Sequence, residues 1–244
     1  MIDLPRVIGH RGAAASAPEN TLASIARAHA LGCRWVEFDV KLSFDKVPML
    51  MHDDRLDRTT DGQGFFADIT AAELKRCDAG NWFGLDFRGE RIPTLAEAVA
   101  LLKRLGMGAN VEIKPCPGRE VETGRLVMEE LRQIWPRDLG LLISSFSAAA
   151  LEAARAVAPE LPRGLLVEAA PPEWAQTARR LGCVTLNPWQ EALQPETVAE
   201  AHAQGLAVAA YTVNDPERAA MLRSWGVDAV FTDVPEQLIP AVGR

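Results

Sequence analysis

Apolar residues along the chain follow two alternating patterns. Short, continuous apolar runs are typical of buried strands, and longer segments with apolar positions three or four residues apart are typical of helices. The predicted strands cover residues 6–9, 35–40, 110–114, 139–144, 164–167, 184–186, 207–211 and 228–231. The predicted helices cover residues 21–31, 95–105, 119–135, 148–157, 173–181, 195–204 and 216–225.

This alternation predicts the fold class. Strands and helices in strict succession favour a parallel sheet with right-handed crossovers, and eight such units close most naturally into a (β/α)8 barrel. An open, doubly wound sheet is the alternative. Its phosphate-binding pattern, GxGxxG after the first strand, is absent, and IGHRGAA at residues 8–14 is a poor substitute. We therefore predict an α/β protein with a TIM-barrel fold.

One stretch interrupts the alternation. After a further apolar segment at residues 47–51, residues 55–90 contain two glycine-rich loops with a short amphipathic segment between them. This stretch is too long and irregular for an ordinary connection. We predict that it forms a small cap inserted after the second strand, within a single domain that spans residues 1–244. In the first helix, Asn20 is the predicted N-cap and Gly32 the predicted stop.

Composition and charge exclude several classes of function. The chain has 244 residues, of which 48% are hydrophobic, so it can bury a substantial core. A net charge of -7 without a lysine or arginine cluster argues against nucleic-acid and anionic-membrane partners. No apolar run is long enough to span a bilayer and the first residues lack a signal-peptide pattern, which favours a cytosolic protein. The four cysteines lack CxxC spacing, which favours reduced thiols over a zinc site.

The second predicted strand carries two acids on one face. Side chains alternate along a strand, so Glu37 and Asp39 project together and Val36 and Phe38 project the other way. Two carboxylates this close in an apolar strand repel each other and lose hydration. A divalent cation is the simplest compensation. The other interpretation is that the acids lie at a strand end and reach solvent or an arginine.

A barrel places its chemistry at the carboxyl ends of its strands. Glu112 repeats the pattern in the next strand, and together with Glu37 and Asp39 it forms an oxygen site suited to Mg2+ or Ca2+. Lys114 and Arg11 lie at neighbouring strand ends. They supply a local positive charge that suits a phosphate group.

Two of the four histidines, His10 and His52, fall at predicted strand ends near this cluster. Histidine titrates near neutral pH, so a pair on opposite sides of a phosphorus atom can supply a general acid and a general base. A single isolated histidine is more often structural. Their joint position beside the acids and cations favours catalysis. The other two, His29 and His202, fall inside predicted helices and are interpreted as surface residues.

Further residues have two interpretations each. Glu19 either lies near His10 or stabilises the first turn of a helix. Asn214 and Asp233 either reach the pocket or cap helices, and for Asp233 we predict capping. Four aromatic residues either form an apolar wall that binds substrate or serve packing alone, namely Trp82, Phe83, Trp189 and Tyr211.

Six short motifs, which run from His10 to Asn214, resemble those of the glycerophosphodiester phosphodiesterase family in their order and spacing, and the resemblance covers nearly the whole chain. The insertion, with Asp78-Ala79-Gly80, Trp82 and Pro93-Thr94-Leu95 after it, is especially similar to the cytosolic bacterial members that accompany glycerol-phosphate uptake. The six motifs are His10-Arg11-Gly12, Pro18-Glu19-Asn20-Thr21, Glu37-Phe38-Asp39, His52-Asp53, Glu112-Ile113-Lys114 and Tyr211-Thr212-Val213-Asn214.

The resemblance implies a TIM barrel that binds a divalent metal through Glu37, Asp39 and Glu112. It implies that His10 and His52 are the acid-base pair and that Arg11 and Lys114 contact phosphate. The implied reaction is hydrolysis of a glycerophosphodiester, such as glycerophosphocholine or glycerophosphoethanolamine, to glycerol 3-phosphate and an alcohol. The sequence leaves open which histidine is the acid and whether water or a glycerol hydroxyl attacks first.

Two other functions are compatible with such a barrel. A barrel that only binds a phosphorylated ligand is expected to lack a histidine or a metal ligand, and this chain retains the whole set. A phosphodiesterase or lyase that acts on a lysophospholipid or phosphoinositide is expected to expose an apolar or basic docking surface. The sequence shows no such surface, which favours small glycerophosphodiesters.

Overall fold

The computed structural model describes residues 2–243, and eight of their strands are parallel and close into a barrel. The barrel closes because β1 (Val7–Gly9) pairs both with the next strand along the chain, β2 (Trp35–Leu42), and with the last one, β9 (Ala229–Thr232). A ninth strand, β3, pairs antiparallel with β2. The strands are β1 (Val7–Gly9), β2 (Trp35–Leu42), β3 (Pro48–Leu50), β4 (Gly108–Ile113), β5 (Leu141–Ser145), β6 (Arg163–Val167), β7 (Cys183–Pro188), β8 (Ala207–Ala210) and β9 (Ala229–Thr232).

Helices follow the barrel strands and form the outer layer. The predicted strands and helices all exist, with ends that differ from the predicted ones by at most two residues. The TIM-barrel prediction is confirmed over the open sheet. The helices are α1 (Leu22–Ala30), α2 (Ala71–Leu74), α3 (Leu95–Leu105), α4 (Glu120–Ile134), α5 (Ala148–Val157), α6 (Trp174–Leu181), α7 (Pro195–Ala203), α8 (Pro216–Ser224) and α9 (Pro235–Val242).

The alternation along β2 separates the core from the site. Val36, Phe38 and Val40 point outward, are fully buried, and belong to the apolar cluster that includes side chains from α1, α3 and α4. Burial of each such side chain contributes about 1.5–3 kcal/mol to folding. Glu37 and Asp39 therefore point into the barrel, because the favourable burial of the other face determines the orientation of the strand.

The prediction that Asn20 caps the first helix is wrong. Thr21 is the N-cap of α1, and its hydroxyl accepts a hydrogen bond from the backbone N–H of Ser24 at 3.1 Å. Asn20 adopts a left-handed backbone with φ of 55°. This conformation turns its side chain toward the barrel, where the amide contacts Asp39.

Residues 55–90, termed the insertion, contain α2, two short 3-10 turns and irregular loops. Their apolar side chains pack in a cluster of their own that includes Leu56, Phe66 and Leu74, together with Met49 from β3. This separate cluster supports the predicted inserted cap, which stays a prediction. Within residues 2–243, no helix combines the length and the apolar composition that crossing a bilayer requires.

Candidate active site

A cavity of about 260 Å³ opens at the carboxyl ends of the barrel strands and is termed the inner cavity. It is lined by the candidate residues of four different chain segments, His10, Arg11, Glu37, His52, Glu112 and Lys114, and by further residues including Tyr211. Asp39 is 1% exposed and lies among these residues at the carboxyl end of β2. Closure of the barrel thus brings eight of the nine predicted site residues together at the inner cavity. The ninth, Glu19, does not line this cavity.

Strand register places the three acids side by side. Asp39 on β2 is directly paired with Glu112 on β4, and Glu37 is two residues earlier on the same face. One oxygen from each of the three carboxylates lies within 4.8 Å of the other two. All three side chains are buried, so their mutual repulsion is poorly screened by water.

Burial and repulsion shift the pKa values of these acids in different directions. Burial, followed by repulsion from Asp39, raises the pKa of Glu37 well above its usual value and that of Glu112 to about 7. Burial also opposes ionisation of Asp39, but Lys114 and Arg11 bring its pKa below the usual value. Asp39 is therefore ionised, whereas Glu37 and Glu112 have too little positive charge around them to favour their ionised forms.

The carboxylate set fits a hard divalent cation. Oε1 of Glu37 is buried and has no hydrogen-bond donor among residues 2–243, while Oε2 accepts from the backbone N–H of Arg11 at 2.9 Å. An orphaned buried carboxylate oxygen is costly unless a cation binds it. Mg2+ and Ca2+ are both bound by carboxylate oxygens with open positions for other ligands.

Two cationic side chains lie against the same acids. Lys114 Nζ is 3.0 Å from Glu112 Oε1 and 3.2 Å from Asp39 Oδ1. Arg11 Nε is buried, forms no hydrogen bond with any of the residues 2–243, and lies 3.4 Å from Asp39 Oδ2. Arg11 has a left-handed φ of 50°, which is rare outside glycine and bends the chain so that this side chain enters the site. Both cations are placed to meet an anion at the inner cavity.

Asn20 fixes Asp39 by two hydrogen bonds. Its side-chain N–H donates to Asp39 Oδ2 at 2.8 Å, and its Oδ1 accepts from the backbone N–H of Asp39 at 3.1 Å. The sequence motif that contains Asn20 was the signal for this role, but its position before a helix favoured capping.

His10 follows β1 and is held by a residue from the far end of the chain. Its Nδ1–H donates to Asp233 Oδ1 at 2.7 Å, and Asp233 Oδ2 accepts from the side-chain N–H of Asn214 at 2.7 Å. Although burial opposes it, the hydrogen bond from His10 lowers the pKa of Asp233 below its usual value. The remaining nitrogen, Nε2, is left for a ligand and lies 3.9 Å from Glu37 Oε2.

The prediction that Asp233 caps a helix is therefore wrong. The N-cap of α9 is Val234, and no side chain caps it. Asp233 instead belongs to the candidate site, as does Asn214. Strand β9 pairs with β1, and this pairing places the end of one strand beside the end of the other. The contact between Asp233 and His10 therefore depends on closure of the barrel.

His52 is held in the same way by a different device. Its Nδ1–H donates to Asp53 Oδ1 at 2.6 Å. Arg58, from the insertion, then donates to both oxygens of Asp53 at 2.6 and 3.1 Å. Burial, together with the nearby charges of Arg11 and Lys114, lowers the pKa of His52 against the opposing effect of Asp39. The imidazole is thus biased toward its neutral form.

Glu19 lies between two arginines. It accepts from Arg11 Nη1 at 2.7 Å and from Arg58 Nη1 and Nη2 at 2.7 and 2.8 Å. Glu19 precedes the N-cap of α1, whose first turn holds no acid, so of its two interpretations the first-turn role does not apply. No sequence pattern marks Arg58, because it is a single arginine in an irregular loop.

A second, wider cavity of about 530 Å³ adjoins the first and is termed the outer cavity. Its residues are His52, Lys114, Phe146, Glu168, Trp189 and Tyr211. The predicted aromatic residues thus separate into two groups, because Trp82 and Phe83 pack edge to face within the insertion instead. No sequence motif marks Phe146 or Glu168, although each directly follows the end of a strand.

Comparisons with known proteins agree with this geometry. A model of the glycerophosphoryl diester phosphodiesterase family matches residues 10–237. A glycerophosphodiester phosphodiesterase of Caldanaerobacter subterraneus is 37% identical over 242 residues, which are 98% of this chain and 98% of that protein. The family resemblance predicted from the six motifs is confirmed.

Solved structures are similar over the whole chain. A phosphodiesterase of Oleispira antarctica, solved in complex with the product sn-glycerol-3-phosphate, is 46% identical with a TM-score of 0.96, over 99% of this chain and 98% of that one. A glycerophosphodiester phosphodiesterase of Agrobacterium tumefaciens is 26% identical with a TM-score of 0.82, over 97% of this chain and 100% of that one.

Proposed function

The chain belongs to the glycerophosphoryl diester phosphodiesterase family, and from this premise we propose that it hydrolyses glycerophosphodiesters to glycerol 3-phosphate and an alcohol. Glycerophosphocholine and glycerophosphoethanolamine are the proposed substrates. The glycerol phosphate product held by the similar Oleispira antarctica enzyme supports this choice.

The observation that carries the proposal is the pair of held histidines on one cavity. His10 and His52 each donate Nδ1–H to a carboxylate, so each presents Nε2 as the nitrogen free to exchange a proton. Both line the inner cavity together with Arg11 and Lys114. A phosphodiester bound there lies between two imidazole nitrogens, each placed to accept or donate a proton.

In the proposed reaction the two histidines divide the proton transfers. One accepts a proton from the attacking hydroxyl, and the other donates a proton to the departing alkoxide. Water and the neighbouring glycerol hydroxyl are alternative nucleophiles for the same pair. Detection of a cyclic glycerol phosphate during turnover would identify the hydroxyl as the nucleophile.

The phosphoryl group is bound by the two cations. Arg11 presents Nε toward the site and is held by Glu19, while Lys114 reaches the same place from the end of β4. Their positive charges offset the charge that develops on the phosphoryl oxygens. Tyr211 donates its hydroxyl to the carbonyl of Val167 at 3.1 Å, so its ring is the part that faces substrate.

We propose Glu37, Asp39 and Glu112 as the ligands of one divalent cation, Mg2+ or Ca2+. The orphaned Oε1 of Glu37 and the raised pKa values of Glu37 and Glu112 support this assignment, because a cation relieves both. When bound, such a cation supplies Lewis-acid stabilisation of phosphoryl charge.

The testing experiment is release of glycerol 3-phosphate from glycerophosphocholine by the purified protein. The rate is measured as purified, after chelation with EDTA, and after addition of Mg2+ or Ca2+. We expect activity that disappears on chelation and returns with the metal. A folded protein that is inactive with every metal would contradict the proposal and favour a barrel that only binds a phosphorylated ligand.

A lipid substrate is the second candidate, and one observation favours it. Near the insertion, Phe44 is 63% exposed, Phe65 54% and Leu85 78%, so the structure exposes large apolar side chains that the sequence pattern did not reveal. Exposed large apolar residues suit a lipid surface. Parallel assays with lysophosphatidylcholine, which shares the choline head group, separate the two candidates.

Cellular location and the finer similarity to uptake-associated members both stay predictions from the sequence. Fractionation of the native cells, followed by immunodetection, tests the predicted cytosolic location.

A further inference from the structure

The outer cavity adjoins the inner cavity and shares five of its six lining residues with it, namely His52, Lys114, Phe146, Trp189 and Tyr211. The sixth, Glu168, lines the outer cavity alone and has no role in the proposed proton transfers or phosphate binding. A phosphodiester bound at the histidines extends one of its two alcohol groups past the shared aromatic residues toward Glu168. Three aromatic rings and one carboxylate therefore surround the part of the substrate that lies farthest from the barrel.

These residues are built on rigid strand ends. The backbone N–H of Trp189 and the hydroxyl of Tyr211 both donate to the carbonyl of Val167, at 3.0 and 3.1 Å. Glu168 is the next residue after Val167. The backbone of Trp189 and the ring of Tyr211 are thus held by one carbonyl at the end of β6, and the backbone of Glu168 follows that carbonyl directly.

The rings present apolar surface to solvent. Phe146 is 45% exposed and Trp189 is 41% exposed, although both are large aromatic residues. Phe146 and Tyr211 meet edge to face, with centroids 5.7 Å apart. This arrangement leaves ring faces available, and such faces attract cations through their quadrupole.

The charges around the outer cavity favour a cation. Glu168 is exposed and, within the described residues 2–243, it forms neither an ion pair nor a hydrogen bond through its side chain. Lys114 Nζ lies 5.8 Å from the centroid of Phe146 and opposes a second cation. Its charge is largely offset by Asp39 and Glu112, which it contacts directly. The carboxylate of Glu168 is therefore the uncompensated charge.

We propose that the outer cavity binds the cationic head group of the substrate and selects a quaternary ammonium alcohol over a neutral one, an inference that rests on the proposed function. Glu168 supplies the countercharge, and Trp189, Tyr211 and Phe146 supply aromatic faces. A primary ammonium needs several hydrogen-bond acceptors, and these residues supply one carboxylate. A trimethylammonium group needs none and is bound by aromatic faces.

The test compares kcat/KM for glycerophosphocholine with kcat/KM for glycerophosphoglycerol, whose head group is neutral. We expect the wild type to prefer the choline substrate by about tenfold, since a carboxylate and aromatic faces each contribute modestly at an exposed site. Glu168→Gln should lower this ratio about fivefold, and Trp189→Leu should lower it by a similar factor. Glu200→Gln, an exposed glutamate on α7 with the same change of charge, is the matched control and should leave the ratio unchanged.

Each outcome discriminates. A ratio near one in the wild type, or a ratio unaffected by both Glu168→Gln and Trp189→Leu, would overturn the head-group site while the phosphodiesterase proposal stands. A wild type that hydrolyses neither substrate would overturn both proposals. Equal loss in Glu168→Gln and in the Glu200→Gln control would attribute the effect to net charge and would also overturn the site.

Discussion

The two candidate catalytic histidines are held by the same chemical contact in two different regions. His10 is bound by Asp233 and, through it, by Asn214, and all three follow strands of the barrel. His52 is bound by Asp53, which Arg58 holds from the insertion. The first arrangement depends on the register of paired strands. The second depends on charged side chains, of which that of Arg58 is 46% exposed.

This difference shows how one site can combine two kinds of positioning. Strand pairing is set by many backbone hydrogen bonds and is insensitive to salt. Ion pairs at the surface are weak and are screened by salt, although Arg58 forms two bidentate pairs that strengthen it. Arg58 also binds Glu19, which holds Arg11, so the insertion side positions a histidine and a phosphate-binding cation together.

Removal of either imidazole is expected to give the largest effect. His10→Ala and His52→Ala should each lower kcat by at least about a hundredfold, because each removes a positioned acid or base. Steady-state turnover of glycerophosphocholine measures this. His29→Ala, at an exposed helix position, is the control. Wild-type turnover in either variant would exclude that histidine from the mechanism.

The three carboxylates of Glu37, Asp39 and Glu112 should control metal affinity. Glu37→Gln removes a charge beside Asp39 and Glu112, and we expect it to weaken Mg2+ or Ca2+ binding by at least about a hundredfold. Loss of a direct ligand should exceed the roughly tenfold to hundredfold loss that follows removal of a residue that only hydrogen-bonds to a ligand. Isothermal titration calorimetry on the metal-free protein measures the affinity, with Glu200→Gln as the control. Unchanged titration curves would remove Glu37 from the ligand set.

The barrel-side contact should matter equally at low and high salt. Asp233→Asn keeps the shape but loses the charge that holds the His10 imidazole, and we expect kcat to fall about tenfold to a hundredfold. The ratio of wild-type to variant kcat should be the same in about 50 mM and about 500 mM NaCl. Exposed ion pairs become screened over this range of salt concentration. A ratio that collapses toward one at high salt would contradict a role for strand register.

The insertion-side contact should give a smaller, salt-dependent effect. Arg58→Gln should lower kcat/KM about threefold to tenfold, and Arg58→Lys should restore part of the loss, since single exposed pairs are worth about 1 kcal/mol. The ratio of wild type to variant should shrink as salt rises. Arg55→Gln is matched in exposure but contacts only Asp57 among the acids of residues 2–243, so it should behave as wild type. A salt-independent loss would assign Arg58 a purely structural role.

The smallest expected effect is on stability. Glu112 has its pKa raised by burial to about 7 in the folded protein, against a usual value near 4.5. Its contribution to stability is complete below the unfolded value and is lost as pH rises through the folded one. In EDTA, Tm should therefore fall by about 5–10 °C between pH 5 and pH 8, because a loss of about 2–3 kcal/mol lowers Tm by roughly 2–4 °C per kcal/mol in a chain of this size. Glu112→Gln should flatten this dependence, and a profile identical to wild type would contradict the raised pKa.

Local pattern determined much of this protein. The apolar periodicity predicted the barrel, since strand and helix periods depend on which faces can be buried. The two-residue spacing of Glu37 and Asp39, repeated by Glu112 and Lys114, predicted one shared face, and register then confirmed that these side chains lie together. Some helix ends were also local: Gly106 ends α3 in a left-handed conformation, as is usual for a glycine after a helix.

The tertiary structure alone decided which side chains hold the site. Asp233 reaches His10 across 223 residues because β1 pairs with β9. Asn20 contacts Asp39 because its backbone turns into the barrel, and Arg58 reaches both Asp53 and Glu19 because the insertion folds over the strand ends. Short-range pattern records which face of an element is buried. The partner of a polar side chain depends on how distant segments are brought together, and this is fixed only when the barrel closes.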